Sequence, residues 1–228
     1  MLSPEELQIL ATSLNVAGRA VIFSLPVAIF CAWALSKHSF PGKAVLDAVV
    51  HLPLVLPPVL VGYLLLIVFG LRGPVGGWLK AAFNIQLAFT AEGASLATAV
   101  MAFPLMVRAI RLSFEATDRG LFDAAAVLRA SPWDRFWSLA LPLAWPGVLA
   151  GAVTAFAAGL GEFGAVITFA SNVEGKTQTI PLAIYSVLQI PGGEAQAWRL
   201  ATISMTAAVA GLVAAEVLQR WARRRLEG

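Results

Sequence analysis

Five apolar runs constrain this chain more than any other feature: roughly Leu14 to Leu35, Val45 to Phe69, Ser95 to Leu112, Leu139 to Phe169 and Trp198 to Leu218. Each is close to or above the roughly 20 residues that carry a helix across the hydrocarbon core of a bilayer. Inside hydrocarbon every backbone N–H and C=O must find its partner within the protein, which favours helices. Composition agrees, with 59% hydrophobic and 13% charged residues among 228 and a mean hydropathy of +0.79. The sequence predicts a single all-α integral-membrane domain over residues 1–228, with about five transmembrane helices, or six. The fourth run is too long for one straight span, so it tilts, breaks or continues outside the membrane. "TIPLAIYSVLQI", Thr179 to Ile190, is only half a membrane thick and reads as a re-entrant or surface helix.

Several function classes drop out. The amino terminus "MLSPEELQIL" puts Glu5 and Glu6 where a secretory signal would carry Lys or Arg, so the first run is expected to stay uncleaved. Ser3, Pro4 and Glu6 suit a capping box and predict a short helix leading into the first span. The one cysteine, Cys31, forms no internal disulfide, and with only His38 and His51 there is no metal-ligand cluster. No Ser/His/Asp set, G-x-S-x-G elbow or H-E-x-x-H motif is present, so no catalytic residue is expected. "ASNVEGKT", Ala170 to Thr177, approaches the phosphate-binding G-x-x-x-x-G-K-[ST] pattern but has Ala170 for its first glycine and no buried strand before it.

Charge sets the orientation, because Lys and Arg in short loops stay cytoplasmic. With the amino terminus outside, the cytoplasmic side receives Lys37, Lys43, Arg108, Arg111, Arg119, Arg129, Arg135, Arg220, Arg223, Arg224 and Arg225; Arg19, Arg72, Lys80, Lys176 and Arg199 remain outside or near the outer ends. The carboxy terminus is then cytoplasmic, where Arg223, Arg224 and Arg225 suit anionic lipid. The net charge of +3 follows from this asymmetry and needs no nucleic-acid partner.

A polar interruption lies on that cytoplasmic face, between the third and fourth spans, at about residues 113–138. Within it "FDAAAVLRASPWDRFWSLALPLAWPG" runs from Phe122 to Gly147. Gly120 is expected to end the third helix in a left-handed conformation, Leu121 to Ala130 to form a short Ala-rich helix, and Ser131 with Pro132 to stop it. Ser131, Pro132 and Asp134 then start the next helix as cap, first residue and capping-box acid. The short helix is smooth at Ala124, Ala125 and Ala126 and apolar at Leu121, Val127 and Leu128, with Asp123 and Arg129 at its rim. That surface fits a groove in another protein, or is simply a solvated connector.

Prolines are frequent in the spans, and three within "HLPLVLPP", His51 to Pro58, predict an interruption of the second span near a moving or pathway-lining surface. "GLGEFGA" places Gly159, Gly161 and Gly164 around Glu162, followed by Thr168, Ser171 and Asn172. An intramembrane acid is a functional candidate by default. "GVLAG", Gly147 to Gly151, is a G-x-x-x-G that serves either a second copy or packing within the chain. Arg19 either attracts anions or snorkels; His51 is either a pH sensor or a satisfied core histidine.

"DAAAVLRASPWDRFWSLALPLAWPG", Asp123 to Gly147, resembles the E-A-A-x-x-x-G-A-S…F…L-P-L…P-G signature of ABC importer permeases. Ala124, Ala125, Ala130, Ser131, Phe136, Leu141, Pro142, Pro146 and Gly147 match it. Asp123 stands where the family has Glu, and Arg129 where it has Gly; if that glycine supplies a positive φ, Arg129 adopts it at about 1 kcal/mol. "LPLVLPPVLVGYLLL", "FPLMVRAIR", "GLGEFGAVITF" and "TQTIPLAIYSVLQIPGG" look like the molybdate branch of that family, whose relatives carry sulfate or thiosulfate.

The resemblance implies a type I importer permease fold in a bacterial cytoplasmic membrane, two copies of the chain, a cytoplasmic ATPase dimer and a soluble molybdate-binding protein outside. It makes Leu121, Asp123, Ala124, Ala125, Val127, Leu128, Arg129, Ala130 and Ser131 the ATPase-coupling segment. ATP and magnesium belong to the ATPase, and this chain itself holds no cofactor or metal. A tetrahedral dianion crossing a membrane suits small residues and hydrogen-bond donors rather than fixed cations, which makes Pro57, Pro58, Gly159, Gly161, Glu162, Gly164 and Thr168 the candidates for pathway or gate. Glu162 would repel a dianion when ionised, so it is either a structural acid paired to a backbone donor or basic residue, or a gate. Tungstate is an alternative cargo. A secondary transporter, the alternative of another class, would be expected to show internal repeats, and none is visible.

Overall fold

A computed structural model describes residues 3–37 and 40–226 as helices joined by short turns, with no strand among them. Helix α1 (Pro4–Lys37) begins at the predicted capping box: Glu6 N–H donates to Ser3 Oγ at 3.2 Å and Ser3 N–H to Glu6 Oε2 at 2.7 Å. The expected leader helix and first span are one helix, because nothing between Ala11 and Leu14 breaks it; Pro26 lies inside it without ending it.

The second run divides, as the prolines predict. α2 (Lys43–Val55) ends at Leu56, which is extended at φ −76°, ψ 144°, and Pro58 opens α3 (Pro58–Phe69). The two axes differ in direction by 118°, so the run is not one straight span. α4 (Pro74–Phe83) was not expected from the sequence; its apolar stretch is short and carries Gly76 and Gly77, and Asn84 closes it in the left-handed conformation at φ 55°.

α5 (Ala91–Ala116) is the centre of the fold. Thr90 caps it, accepting from Gly93 N–H at 3.1 Å, and Ala94, Ala97, Ala102, Met106, Val107, Ile110 and Phe114 are buried along it. Small residues let α1 and α8 (Leu141–Leu160) approach this helix closely. A Cβ on Gly147 would collide with Ser113 Oγ, one on Gly151 would lie 3.0 Å from Met106 O, and one on Gly159 would lie 2.8 Å from Thr98 Cγ2. The G-x-x-x-G therefore packs within one chain.

α6 (Arg119–Val127) and α7 (Pro132–Arg135) link α5 to a π-helical segment at Phe136–Ala140, which continues into α8. The long fourth run breaks at Gly161 to Phe163, and α9 (Gly164–Phe169) turns back against α3. α10 (Ile180–Leu188) is the expected short helix, and α11 (Glu194–Leu226) contains the fifth run.

Among the described residues, Pro4–Ser36, Ala91–Ala116 and Pro132–Leu160 are long and apolar enough to cross a membrane, and the bent α2–α3 pair makes a fourth if it counts as one span. Several side chains in the second half of the fifth run lie outside the described residues, as do those of Arg220, Arg223, Arg224 and Arg225.

Three apolar clusters hold these elements. One joins α1, α5 and α8 around Phe114 and Phe136; a second joins α1, α3, α5 and α9 around Phe169; a smaller one ties the start of α1 to α10 and α11.

Candidate functional site: an exposed loop helix and a glycine seam

The loop between α5 and α8 is built from local capping. Thr117 is extended and Asp118 caps α6, its Oδ1 accepting from Gly120 N–H at 2.8 Å. This overturns two sequence expectations: α5 ends at Ala116 rather than Gly120, and the loop helix spans Arg119–Val127 rather than Leu121 to Ala130. The short Asp118 carboxylate offers a cap, so the break falls there and glycine is not needed.

The other end follows the family pattern. Arg129 N–H donates to Ala126 O and Ala130 N–H to Ala125 O, both at 3.0 Å, and Arg129 has φ 58°. These are the paired bonds of a Schellman motif, with arginine in the left-handed position usually filled by glycine. The sequence condition on Arg129, that glycine there would have supplied a positive φ, is met by the backbone itself.

Ser131 then caps α7: its Oγ accepts from Asp134 N–H at 3.1 Å, while Ser131 N–H and Oγ–H donate to Asp134 Oδ2 at 3.1 and 2.6 Å. Pro132 occupies the first helical position, as read from the sequence.

The loop helix is outward-facing. Val127 and Leu128 are 83% and 81% exposed; Leu121, Asp123, Ala124, Arg129 and Ser131 are exposed too, and Ala125 and Ala130 are half-buried. Phe122 reaches back, packing on the cluster that contains Phe114 and Phe136. The sequence reading missed how firmly this loop is anchored. Phe136 is buried, and its ring centroid lies 4.8 Å from that of Trp33 and 5.3 Å from that of Phe30, both on α1. The aromatic density of "PWDRFW" was the available signal. An apolar tip such as Val127 and Leu128 on a rigid base is what docking into a protein groove requires.

The pathway candidates separate into two places. Pro57, Pro58, Gly164 and Thr168 come together where α3 meets α9. A Cβ on Gly164 would lie 2.6 Å from Pro58 Cβ, and one on Gly62 would lie 2.7 Å from both Ala165 O and Thr168 Cβ. Two glycines thus allow the backbones to touch. Thr168 Oγ1 donates to Gly164 O at 2.8 Å. Glu162 borders this seam, with Oε1 accepting from Ala165 N–H at 2.9 Å in the first turn of α9.

Gly159 lies elsewhere, packed between Thr98 and Ala17, and Gly161 is exposed with room for a side chain. Gly62, absent from the sequence candidates, is the partner that completes the seam; only the fold pairs it with α9.

Three other ionisable side chains have partners. Arg19 Nη1 donates to Glu92 Oε1 at 3.0 Å, Arg199 Nη2 to Glu6 Oε2 at 2.9 Å, and His51 Nδ1 lies 2.9 Å from Asp47 O. "ASNVEGKT" is a closed turn: Thr177 is buried, donates to Ser171 O and accepts from Val173 N–H, each at 2.9 Å. Among the described residues no group of His, Cys, Asp or Glu is arranged to hold a metal.

Residues 24–228 match the family described as binding-protein-dependent transport system inner membrane component. The chain is 53% identical over 225 residues to the molybdenum transport system permease protein ModB of Escherichia coli (strain K12), covering 99% of this chain and 98% of that one. It is 34% identical over 212 residues to the sulfate transport system permease protein CysT of the same strain, covering 92% and 75%. In fold it resembles a chain in the crystal structure of a bacterial ABC transporter that imports alginate, with a TM-score of 0.72 at 18% identity over 98% of this chain and 80% of that one. With its exposed, capped loop helix in the place where the signature falls, the chain belongs to the binding-protein-dependent transport system inner membrane component family.

Proposed function

We propose that this chain is the membrane subunit of an ATP-driven importer that carries molybdate into the cytoplasm. The observation that carries the substrate is the similarity to a molybdenum permease over nearly the whole of both chains. The chain works as a pair, with a cytoplasmic ATPase dimer and a soluble binding protein that delivers the anion from outside. It is not itself an enzyme: ATP and magnesium act on the ATPase. The amino terminus lies outside and the carboxy terminus in the cytoplasm, in keeping with the distribution of Lys and Arg.

The geometry supports a division of labour. Leu121, Asp123, Ala124, Ala125, Val127, Leu128, Arg129, Ala130 and Ser131 form the ATPase contact. Val127 and Leu128 are its apolar anchors, and the two capped ends keep it rigid, so movement of the ATPase is transmitted rather than absorbed. At the α3–α9 seam, Gly62, Gly164 and Pro58 leave no bulky side chain between backbones, and this seam is the pathway or gate, with no fixed cation that would trap an oxyanion. Glu162 holds the start of α9 through Ala165 N–H.

Sulfate or thiosulfate is the second reading, favoured by the similarity to CysT; tungstate shares the tetrahedral dianion chemistry. Reconstitution in vesicles with the cognate ATPase and binding protein tests the choice. Labelled molybdate should accumulate and excess tungstate should compete, whereas equal excess sulfate should not. Competition by sulfate alone would transfer the assignment to sulfate.

A further inference from the structure

The helix that leads into the loop helix is fastened to α2 by one arginine. Arg111 of α5 donates from Nη1 to Asp47 Oδ1 at 3.0 Å and from Nε to Glu115 Oε1 at 2.7 Å. Asp47 belongs to α2, and His51, one turn further on, places Nδ1 3.3 Å from the same Asp47 Oδ1. A single planar guanidinium thus grips one carboxylate on its own helix and one on a neighbour, a geometry that fixes orientation in a way an ammonium does not.

The position of this clamp is informative. Glu115 is the penultimate residue of α5, and only Thr117 and Asp118 separate α5 from α6. On the other side α2 is lightly held: Val50 is its one buried residue, Leu46 packs half-buried on the same core cluster, and Val45, Val49, Leu52, Leu54 and Val55 are exposed. Beyond Val55 comes the extended Leu56, the 118° turn, and α3 with its seam against α9. A continuous path of rigid pieces therefore runs from α6 through α5, Arg111 and α2 to the break at Leu56 and Pro57. The Arg111 and Asp47 side chains are 28% and 42% exposed, and half-exposed pairs add little to fold stability.

We propose that Arg111 is a positioning residue for coupling: its bond to Asp47 makes α2 follow α5, so that displacement of α6 reaches the α2–α3 break and the α3–α9 seam. This rests on the transporter reading above. Without the bond, α5 moves while α2 lags, and hydrolysis continues without productive opening.

The experiment measures ATP hydrolysis and labelled molybdate uptake together, in vesicles holding the complete complex. Asp47→Asn and Arg111→Gln should each assemble normally and hydrolyse ATP within about twofold of wild type, while uptake per ATP falls about five- to tenfold, the range of a modest coupling energy. The double variant should be no worse than Arg111→Gln alone, because both remove the same link. Asp47→Glu keeps the charge and should keep uptake per ATP within about twofold, and so should Glu115→Gln, which leaves the bond across to α2 in place; these two also decide the matter if a neutralised variant fails to assemble.

Unchanged uptake per ATP in Asp47→Asn, multiplying losses in the double variant, or an Asp47→Glu or Glu115→Gln loss as large as that of the neutral variants would each overturn the assignment. Wild-type uptake that ignores ATP would instead overturn the transporter reading.

Discussion

Arg129 shows how much of this protein is decided by single backbone positions. Its φ of 58° is a conformation that costs a non-glycine residue roughly 1 kcal/mol. Arg129→Gly should therefore raise thermal stability by about that amount and leave uptake equal or better; a collapse of uptake would mean that the guanidinium makes a contact of its own with the ATPase. Gly164 is the opposite case. Gly164→Val should push α9 off α3, since even a Cβ would sit 2.6 Å from Pro58 Cβ, and should reduce both folded yield and uptake, read by detergent-stable protein and transport. Arg129 was legible in the sequence because the family pattern has glycine there. Gly120 was misread because a glycine near a helix end looks like a terminator, whereas Asp118, two residues earlier, supplies a cap that ends the matter sooner. Gly62 could not be read at all: its reason is Ala165 and Thr168, about a hundred residues away in sequence.

At the scale of elements, helices with a local stop or start signal were legible and those set by tertiary contact were not. The proline pair at Pro57 and Pro58 breaks the second run where expected, and Ser131, Pro132 and Asp134 open α7 as read. The angle of the break was not in the sequence, because it depends on where α9 offers a surface to α3. α4 was missed because its ten residues contain two glycines and are too few to span a bilayer. The loop helix α6 yields the clearest test here. Ala125→Trp should insert and fold normally, since Phe122 and not Ala125 anchors the loop to the core, but it should abolish co-purification of the ATPase and uptake. Retained co-purification would show that α6 does not sit in a groove. Ser131→Ala removes the α7 cap and should cost roughly 1 kcal/mol of stability, visible as a lower unfolding temperature with ATPase binding weakened rather than lost.

For the whole molecule, the apolar runs and the signature between Asp123 and Gly147 were enough to read an all-α membrane fold and the family. The sites within it were harder. The candidate pathway residues were grouped by their shared smallness, but smallness serves two ends here: Gly159 lets α8 pack on α5 and α1, while Gly62 and Gly164 bring α3 and α9 together. Only the fold separates these uses. The central claim is that the chain moves an oxyanion at the expense of ATP hydrolysed by a partner that grips α6. The most direct measurement is uptake of labelled molybdate into vesicles carrying the wild-type permease, with the binding protein present and the ATPase either active or disabled in its own catalytic site. Uptake that requires the active ATPase, and disappears with the disabled one although the complex stays assembled, is the predicted result. Uptake that persists with the disabled ATPase would contradict it.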